Sequence, residues 1–273
     1  MTAVATRSAE TVAVADHAAY TRIRVARSSG LGVITLARPE RRNALDRATA
    51  DELHAAIRAL AADHEVRVIV LEGEGADFCA GADLAALEAM LDAGPEVHID
   101  DARALGRVFA QLRGLNKPTV AIVRGRALAG GAGLATACDI VLAEEGATFG
   151  YPEVRIGFVP AMVMSMLRRA VGEKRAAELV LTARVVDAAE AERIGLASRC
   201  IPTASFAEEV GATLERLVAS PPVSLELTKR LLYRIDDMDF AAGIAAGITT
   251  NVEARATEAF REGVRRFVRK DRA

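Results

Sequence analysis

The sequence has 273 residues and a formal net charge of -2; 51% of its residues are hydrophobic and 26% are charged. This balance is typical of a globular protein that folds around its own core. A nucleic-acid-binding protein needs a basic excess for phosphates and aromatic rings for bases, whereas only 4% of these residues are aromatic. The composition therefore argues against a nucleic-acid partner.

The first 19 residues are predicted to form a disordered tail. They lack the basic start and the apolar block of a leader, and Glu10 and Asp16 are untypical of a transit peptide. No run in the sequence approaches the roughly 18 apolar residues of a membrane span. Three separated cysteines without a CxxC pair indicate buried free thiols: Cys79, Cys138 and Cys200. The sequence predicts a cytoplasmic protein without a membrane partner.

Strand and helix patterns alternate along the first part of the chain. Two strand-like runs at 21–27 and 31–37 flank a Ser-Ser-Gly turn, which predicts a hairpin, and a loop follows at 38–43. Runs of β-branched residues predict further strands, and apolar residues at helical spacing predict helices. The strands are expected at 66–71, 118–123, 139–143 and 196–201, and the helices from about residue 49, at 83–95, at 97–113 and through most of the chain after residue 161.

Helices dominate after about residue 160. In that part, Asp187 followed by Glu190 resembles a capping box, and Gly195 is typical of a helix end. Strands with short crossovers followed by helices predict an α/β fold with a helical C-terminal region in a single unit.

Two glycine-rich turns follow two of the predicted strands. Strand 66–71 leads into the small-residue segment 78–83, and strand 118–123 leads into the segment 127–133. Small residues let backbone N–H groups approach a ligand closely, and the N–H groups that begin a helix point outward. Two such turns could aim one donor each at a single oxygen, which is the geometry of an oxyanion hole. The glycines could equally serve only to let a helix pack closely on a strand.

Other catalytic patterns are absent from the sequence. Gly73-Glu74-Gly75 begins like a dinucleotide-binding fingerprint but lacks its third glycine. The sequence has no Walker-type phosphate-binding loop and no GxSxG nucleophile turn. The four histidines show neither HExxH spacing nor cysteine partners, so we expect no metal site.

Five segments, in order along the chain, resemble motifs of the crotonase superfamily, the enoyl-CoA hydratase/isomerase family. They are Arg38-Pro39 with Asn43-Ala44-Leu45; Phe78-Cys79-Ala80-Gly81-Ala82-Asp83-Leu84; Arg124-Gly125 through Gly130-Gly131 with Cys138-Asp139-Ile140; Phe149-Gly150-Tyr151-Pro152-Glu153-Val154 with Ile156-Gly157; and Glu258-Ala259-Phe260-Arg261-Glu262-Gly263. The similarity runs from about residue 21 to residue 270. Each segment alone is a modest match, but the ordered set is specific.

The resemblance implies an α/β fold, a crotonase-like spiral of strand-strand-helix repeats with a helical C-terminal trimerisation region. Residues 20–200 would form the spiral core with the acyl-CoA site. Residues 201–273 would form the helical region for oligomerisation into a homotrimer or hexamer. Phe267 and Lys270, near the basic end of the chain, would meet the CoA adenosine of a neighbouring subunit.

The implied chemistry acts on acyl-CoA thioesters through an enolate that two backbone N–H groups hold. Matched by position, these donors belong to Ala80 and Gly130, and the CoA site would be lined by Ala80, Gly81, Ala82 and Asp83. The thioester itself makes the α-proton acidic. The resemblance therefore implies no metal and no cofactor beyond the CoA of the substrate.

Hydratases of the family generally use two glutamates, and this sequence retains one of them. The second matches Glu153, whereas Gly133 stands at the position of the first. We expect Glu153 to be the catalytic acid/base and the volume beside Gly133 to be empty. Together with Gly133, the segment 150–161 looks closest to hydratases of branched, methylglutaconyl-like enoyl-CoA substrates.

The leading prediction is an enoyl-CoA hydratase that adds water across the 2,3 double bond. A single carboxylate is also enough to move a proton between two carbons. A Δ3,Δ2-enoyl-CoA isomerase with Glu153 as its sole base is therefore the alternative within the family. A non-catalytic acyl-CoA-binding or assembly protein is the alternative from another class.

Overall fold

The structure is a computed structural model that describes residues 12–13 and 20–270. Strands and helices alternate as far as Ile201, and the described chain is helical beyond it. The strands are β1 (Val12–Ala13), β2 (Ile23–Ser28), β3 (Leu31–Leu36), β4 (Val68–Gly73), β5 (Thr119–Val123), β6 (Arg126–Leu128), β7 (Ile140–Glu144), β8 (Thr148–Gly150), β9 (Val185–Asp187) and β10 (Arg199–Ile201). The helices are α1 (Arg47–Ala62), α2 (Leu84–Glu88), α3 (Pro95–Gly114), α4 (Gly130–Ala137), α5 (Ala161–Thr182), α6 (Ala188–Ile194), α7 (Phe206–Ala219), α8 (Pro222–Arg234), α9 (Phe240–Arg255) and α10 (Glu258–Lys270).

Seven strands form the main sheet in the order β1-β2-β3-β4-β5-β7-β10. The β1-β2 and β2-β3 pairs are antiparallel, and the other neighbours are parallel. β4 and β5 are buried because helices cover both faces of this parallel part. Ile69 and Leu71 face the larger core with α1, α3 and α4, whereas Val68 and Val70 face the smaller core with α7.

A second, three-stranded sheet in the order β6-β8-β9 was not predicted. Its strands have only three residues each, which is too short for an alternating pattern to be recognised in the sequence. β6 pairs with β8 in parallel, and β8 pairs with β9 antiparallel. The sheet matters because β6 leads directly into the second glycine turn.

Most predicted element boundaries agree with the structure, but the helix expected at 83–95 does not. α2 ends at Glu88, and Pro95 begins α3 instead of ending a helix, because proline suits the first turn, where its missing N–H is not needed. Half of the capping box predicted for α6 is confirmed, since the Asp187 carboxylate accepts from the Glu190 N–H at 2.7 Å. The Glu190 carboxylate does not return the bond but accepts from Arg184 at 2.8 and 2.9 Å. Gly195 ends α6 in the left-handed conformation, at φ 85°.

The α/β class with a helical C-terminal region is confirmed. Of residues 1–19, which we expected to form a disordered tail, the structure describes only β1, which pairs with β2; the rest lies outside the described residues. Within the described ranges, no helix has the length and apolar character needed to cross a bilayer.

Candidate active site

The two predicted glycine turns lie against each other. A Cβ at Gly81 would stand 2.7 Å from the Ala129 Cβ, and a Cβ at Gly131 would stand 2.3 Å from the Cys79 carbonyl oxygen. Any side chain at either glycine would overlap its neighbour. These two glycines therefore serve close packing, and the packing brings the start of α4 beside the segment 79–83.

A strained residue turns the chain from β6 into α4. Ala129 has φ 50° and ψ -123°, a conformation that residues other than glycine rarely adopt. Its N–H donates to the Gly150 carbonyl at 2.8 Å, and its own carbonyl accepts from the Gly133 N–H at 3.0 Å. Gly130 is thus the first helical residue, and its N–H points out of the helix with no intrahelical acceptor.

The Ala80 N–H is already engaged within the protein. Cys79 donates to the Arg126 carbonyl at 2.9 Å, on the β6 side. The Ala80 N–H points the other way and donates to the Arg42 carbonyl at 3.0 Å. The group that we expected to be the first oxyanion donor can meet a ligand only if this bond is broken or shared.

The Ala82 N–H, two residues later, is free. The Gly81 carbonyl accepts from the Leu45 N–H at 2.7 Å, and the Asp83 N–H donates to the Leu45 carbonyl at 2.8 Å. Because both groups that flank Ala82 face Leu45, the Ala82 N–H faces the opposite side. Within the described part of the chain, neither the Ala82 N–H nor the Gly130 N–H has an acceptor.

One of the two free donors lines a cavity of about 290 Å³, and the other lies next to it. Ala82 is a lining residue. Gly130 is not, but a Cβ there would stand 3.3 Å from Leu45 Cδ1 and 3.4 Å from Leu105 Cδ2, two residues that do line the cavity. The rest of the lining comes from the starts of α1 and α2 and from α3: Asp46, Arg47, Ala48, Ala50, Asp83, Ala86, Leu87, Met90 and Asp101. A mostly apolar cavity with a few polar groups is typical of a small-molecule site.

The Asp83 carboxylate is committed to the protein. Its Oδ2 accepts from Arg38 at 2.8 Å, and its Oδ1 accepts from the Ala85 and Ala86 N–H groups at the start of α2. Burial acts to raise the pKa of Asp83, but the hydrogen bonds from Arg38 and the two amides outweigh it and hold the pKa below its usual value. Asp83 fixes the cavity wall and is a poor proton carrier.

The Glu153 carboxylate is buried and only partly satisfied. It lies in a 3-10 helix, Pro152–Ile156, that follows β8, and among the described residues its Oε2 has no hydrogen-bond partner. Burial raises its pKa, although a bond from its own backbone N–H acts in the other direction. A buried carboxyl with a raised pKa is suited to giving and taking a proton near neutral pH.

A tyrosine locates Glu153 relative to α4. Burial, with a smaller effect of the Glu153 charge, raises the pKa of Tyr151. The Tyr151 hydroxyl lies 3.3 Å from Thr136 Oγ1 on α4. The segment that carries Glu153 is therefore joined through Tyr151 to the later half of α4, which ends at Ala137, and not to its start at Gly130.

The space beside Gly133 is filled, so the expected empty volume is wrong. A Cβ at this buried glycine would stand 2.4 Å from Val163 Cγ1 and 3.0 Å from Phe109 Cζ. The missing side chain lets α4 pack tightly against α5 and α3. The position where family hydratases carry a glutamate is here a helix-helix contact.

Several expected site residues are not among those that line this cavity: Ala80, Gly81, Gly130, Glu153 and Phe267. Phe267 is 70% exposed on α10, and the side chain of Lys270 lies outside the described residues. The described ranges hold no group of three or more His, Cys, Asp or Glu that could bind a metal ion. Burial raises the pKa of the Cys79 and Cys138 thiols to about 12, which makes them poor nucleophiles.

The sequence does not indicate the roles of two residues at the site. Ala82 carries a free N–H, and Arg38 binds the Asp83 carboxylate. The position of Gly81 was the available signal for Ala82, because a glycine at φ 94° changes the direction in which the following N–H points. Arg38 belongs to one of the five motifs, but the sequence around it predicts only a loop.

Comparisons with known proteins agree with one another. A family model described as Enoyl-CoA hydratase/isomerase matches residues 26–273. A Thermus thermophilus protein with enoyl-CoA hydratase in its name is 45% identical over 240 residues, which cover 88% of this chain and 95% of that protein. The 2,3-dehydroadipyl-CoA hydratase of Escherichia coli is 33% identical over 247 residues, covering 90% of this chain and 95% of that one.

Solved structures share the fold over nearly the whole chain. An enoyl-CoA hydratase of Mycobacterium smegmatis has a TM-score of 0.87 at 30% identity and covers 91% of this chain and 96% of its own. AtuE of Pseudomonas aeruginosa has a TM-score of 0.87 at 33% identity and covers 91% and 97%. The fold class predicted from the sequence is confirmed by these similarities.

Proposed function

The chain belongs to the enoyl-CoA hydratase/isomerase family, the crotonase superfamily, and we propose that it is an enoyl-CoA hydratase. It adds water across the 2,3 double bond of an enoyl-CoA thioester. The observation that carries this proposal is that two backbone N–H groups lack an acceptor within the described residues: that of Ala82, which lines an apolar cavity, and that of Gly130, which lies next to two lining residues of the same cavity.

These two N–H groups form the proposed oxyanion hole. Each would stand about 3 Å from the thioester oxygen, where negative charge develops as the enolate forms. Ala82 takes the role expected of Ala80, because the Ala80 N–H is bonded to the Arg42 carbonyl. Gly130 keeps the expected role, supported by its place at the start of α4, where the helix dipole also favours negative charge.

Glu153 is the proposed acid/base. As a carboxylate, it takes a proton from water while the water oxygen bonds to C3, and the π electrons of the double bond move onto the thioester oxygen. The enolate then collapses, and C2 takes the proton back from Glu153, which gives the 3-hydroxyacyl thioester. One carboxyl group thus suffices for a balanced addition, and its raised pKa supports the return of the proton.

The proposed substrate carries a short or branched acyl group. A cavity of about 290 Å³ supports a small acyl group, and the resemblance of the segment 150–161 supports a branched, methylglutaconyl-like one. The thioester activates its own α-carbon, so the proposal includes no metal and no cofactor besides the CoA of the substrate.

A Δ3,Δ2-enoyl-CoA isomerase is the second candidate function. The filled space beside Gly133 favours it, because Val163 and Phe109 stand where a second carboxylate would have to reach. An isomerase needs only that Glu153 take a proton from C2 of a 3-enoyl-CoA and deliver it to C4.

We also propose a cytoplasmic homotrimer or hexamer. The buried free thiols of Cys79 and Cys138 support a reducing compartment. α9 carries four exposed apolar side chains at every fourth residue, on one face, which supports a contact with a second copy: Phe240, Ile244, Ile248 and Val252.

Assays with crotonyl-CoA and with 3-hexenoyl-CoA separate the candidate functions. A hydratase removes the enoyl absorbance of crotonyl-CoA, an isomerase creates such absorbance from 3-hexenoyl-CoA, and a binding protein does neither. For either enzyme, Glu153→Gln keeps the side-chain shape and lowers kcat by about a hundredfold or more. Near-full activity of Glu153→Gln on both substrates would contradict the proposed base, and CoA binding without turnover would favour the non-catalytic alternative.

A further inference from the structure

A buried arginine connects the two chain segments that hold Ala82 in place. The Arg38 guanidinium donates through Nη2 to Asp83 Oδ2 at 2.8 Å and through Nη1 to the Ala44 carbonyl at 2.6 Å. Its Nη1 also lies 3.2 Å from Asp46 Oδ2. One side chain thus joins the segment 44–46 to the segment that carries the Ala82 N–H.

The two carboxylates that Arg38 contacts also begin two helices of the cavity wall. The second oxygen of Asp46 accepts from the Thr49 N–H at 2.8 Å and starts α1. The second oxygen of Asp83 accepts from the N–H groups that start α2. A shift of either carboxylate would therefore move the start of a helix and the adjoining cavity wall.

The backbone of Arg38 is itself held firmly. The Arg38 N–H donates to Asn43 Oδ1 at 2.9 Å, and the Asn43 side chain donates to the Glu74 and Asp77 carbonyls at 2.9 Å and 2.8 Å. Arg38 is 9% exposed, so water cannot readily replace its hydrogen bonds. A planar guanidinium meets several acceptors at once, which an ammonium on a lysine cannot do with the same geometry.

We propose that Arg38 is a positioning residue that aims the Ala82 N–H at the thioester oxygen by locking Asp46 and Asp83 together. The inference rests on the proposed oxyanion hole. Arg38 touches neither the substrate nor the reacting atoms, and it acts through the Leu45–Ala82 pairing that its carboxylate partners flank.

The test measures polarisation of a bound thioester carbonyl. The probe is 2,4-hexadienoyl-CoA, whose absorption moves to longer wavelength when its carbonyl oxygen accepts strong hydrogen bonds. Spectra are recorded with saturating probe in the Glu153→Gln background, where turnover is slower by about a hundredfold or more. Arg38→Met, Arg38→Lys and the control Arg22→Met are added to that background; Arg22 also bonds Asp46, at 3.0 Å, but is not bonded to Asp83.

We expect Arg38→Met to remove at least half of the red shift, Arg38→Lys to give an intermediate shift, and Arg22→Met to leave it unchanged. With Glu153 intact, Arg38→Met lowers kcat by about tenfold or more while KM changes by less than about threefold, because the lost interaction belongs to the transition state. If Arg38→Met does not fold, Asp83→Asn replaces it, since its amide oxygen can still begin α2 while its NH2 group, a donor, cannot accept the bond from Arg38.

The outcomes are distinguishable. If Glu153→Gln alone gives no red shift, the oxyanion hole itself is wrong and the proposed function fails with it. If Glu153→Gln gives the shift and the folded Arg38 or Asp83 variants keep it in full, the positioning role of Arg38 is overturned. A lowered Tm with an unchanged red shift likewise makes Arg38 a structural residue only.

Discussion

The ionised Glu153 carboxylate should lower the stability of the folded protein near neutral pH, where it acts as a base. Its pKa is raised in the folded state, chiefly by burial, so the folded protein holds the proton more tightly than the unfolded chain does. Its contribution to stability is present below the unfolded pKa, near 4.3, and is lost as the pH rises through the folded value. We therefore expect Glu153→Gln to raise Tm at pH 8 and to have little effect on Tm at pH 4.

Thermal unfolding from pH 4 to pH 8 measures this difference. Glu65→Gln, at an exposed position, should leave Tm unchanged at every pH. Protonation of Glu153 should also lower kcat on the acid side of its pH profile. Because the pKa of Glu153 is raised, kcat should begin to fall at a higher pH than it would with an ordinary glutamate. A lower Tm for Glu153→Gln at pH 8 would mean that the carboxylate has a stabilising partner.

Gly133 should be required for packing and not for chemistry. A methyl group at this position would overlap Val163 Cγ1, so Gly133→Ala should lower the free energy of unfolding by about 1 to 3 kcal/mol. Val163→Ala removes the overlapping atom, and the double variant should therefore recover part of the loss. Urea titration of the two single variants and the double variant measures this coupling. Simple additivity of the two losses would show that the contact is not the cause.

Among the elements, those with a long pattern could be predicted from the sequence. The hairpin, the buried strands β4 and β5 and the periodic helix α3 were expected close to their observed bounds, because burial on defined faces leaves a repeated signal. The three-residue strands of the second sheet leave no such signal. Whether Ala80 or Ala82 supplies the oxyanion donor depends on hydrogen bonds that this segment makes with Arg42 and Leu45. Those contacts form only in the folded chain, so the sequence pattern does not reveal them.

The segment 79–83 offers a direct test of that choice. Replacing Ala82 by lactic acid through nonsense suppression turns one amide into an ester, which removes the Ala82 N–H and weakens the Gly81 carbonyl as the acceptor of the Leu45 N–H. We expect kcat to fall by about a hundredfold to a thousandfold, as when an oxyanion donor is lost. The same replacement at Ala80 removes the bond to the Arg42 carbonyl, so it should lower Tm and change kcat much less. The reverse pattern would restore Ala80 as the donor.

At the scale of the whole molecule, α9 carries an exposed apolar face that the fold of a single chain does not explain. Its exposed apolar face includes Ile244, which is 53% exposed, and Ile248, which is 62% exposed. If a second copy covers this face, a charge there should prevent assembly. We expect Ile244→Glu to sediment as a monomer with an unchanged circular dichroism spectrum, while Thr249→Glu, on another side of the helix, stays assembled. A monomeric parent protein at micromolar concentration would contradict the proposed trimer or hexamer.

The end of α10 should serve the site of a neighbouring subunit. Three apolar residues near the end of α10 are exposed in the single chain, so truncation after Gly263 should weaken CoA binding more than it lowers Tm: Val264, Phe267 and Val268.

The decisive measurement mixes two defective proteins, the truncated chain and full-length Glu153→Gln. The truncated chain keeps Glu153, and full-length Glu153→Gln keeps the end of α10. Each is poorly active alone, but after dissociation and reassembly together, some sites contain an intact Glu153 and a neighbour's intact helix end. The activity of the reassembled mixture should then exceed the sum of the activities of the two proteins assayed alone. If reassembled mixtures show no such gain, the helix end serves its own subunit or none, and the roles expected of Phe267 and Lys270 are wrong.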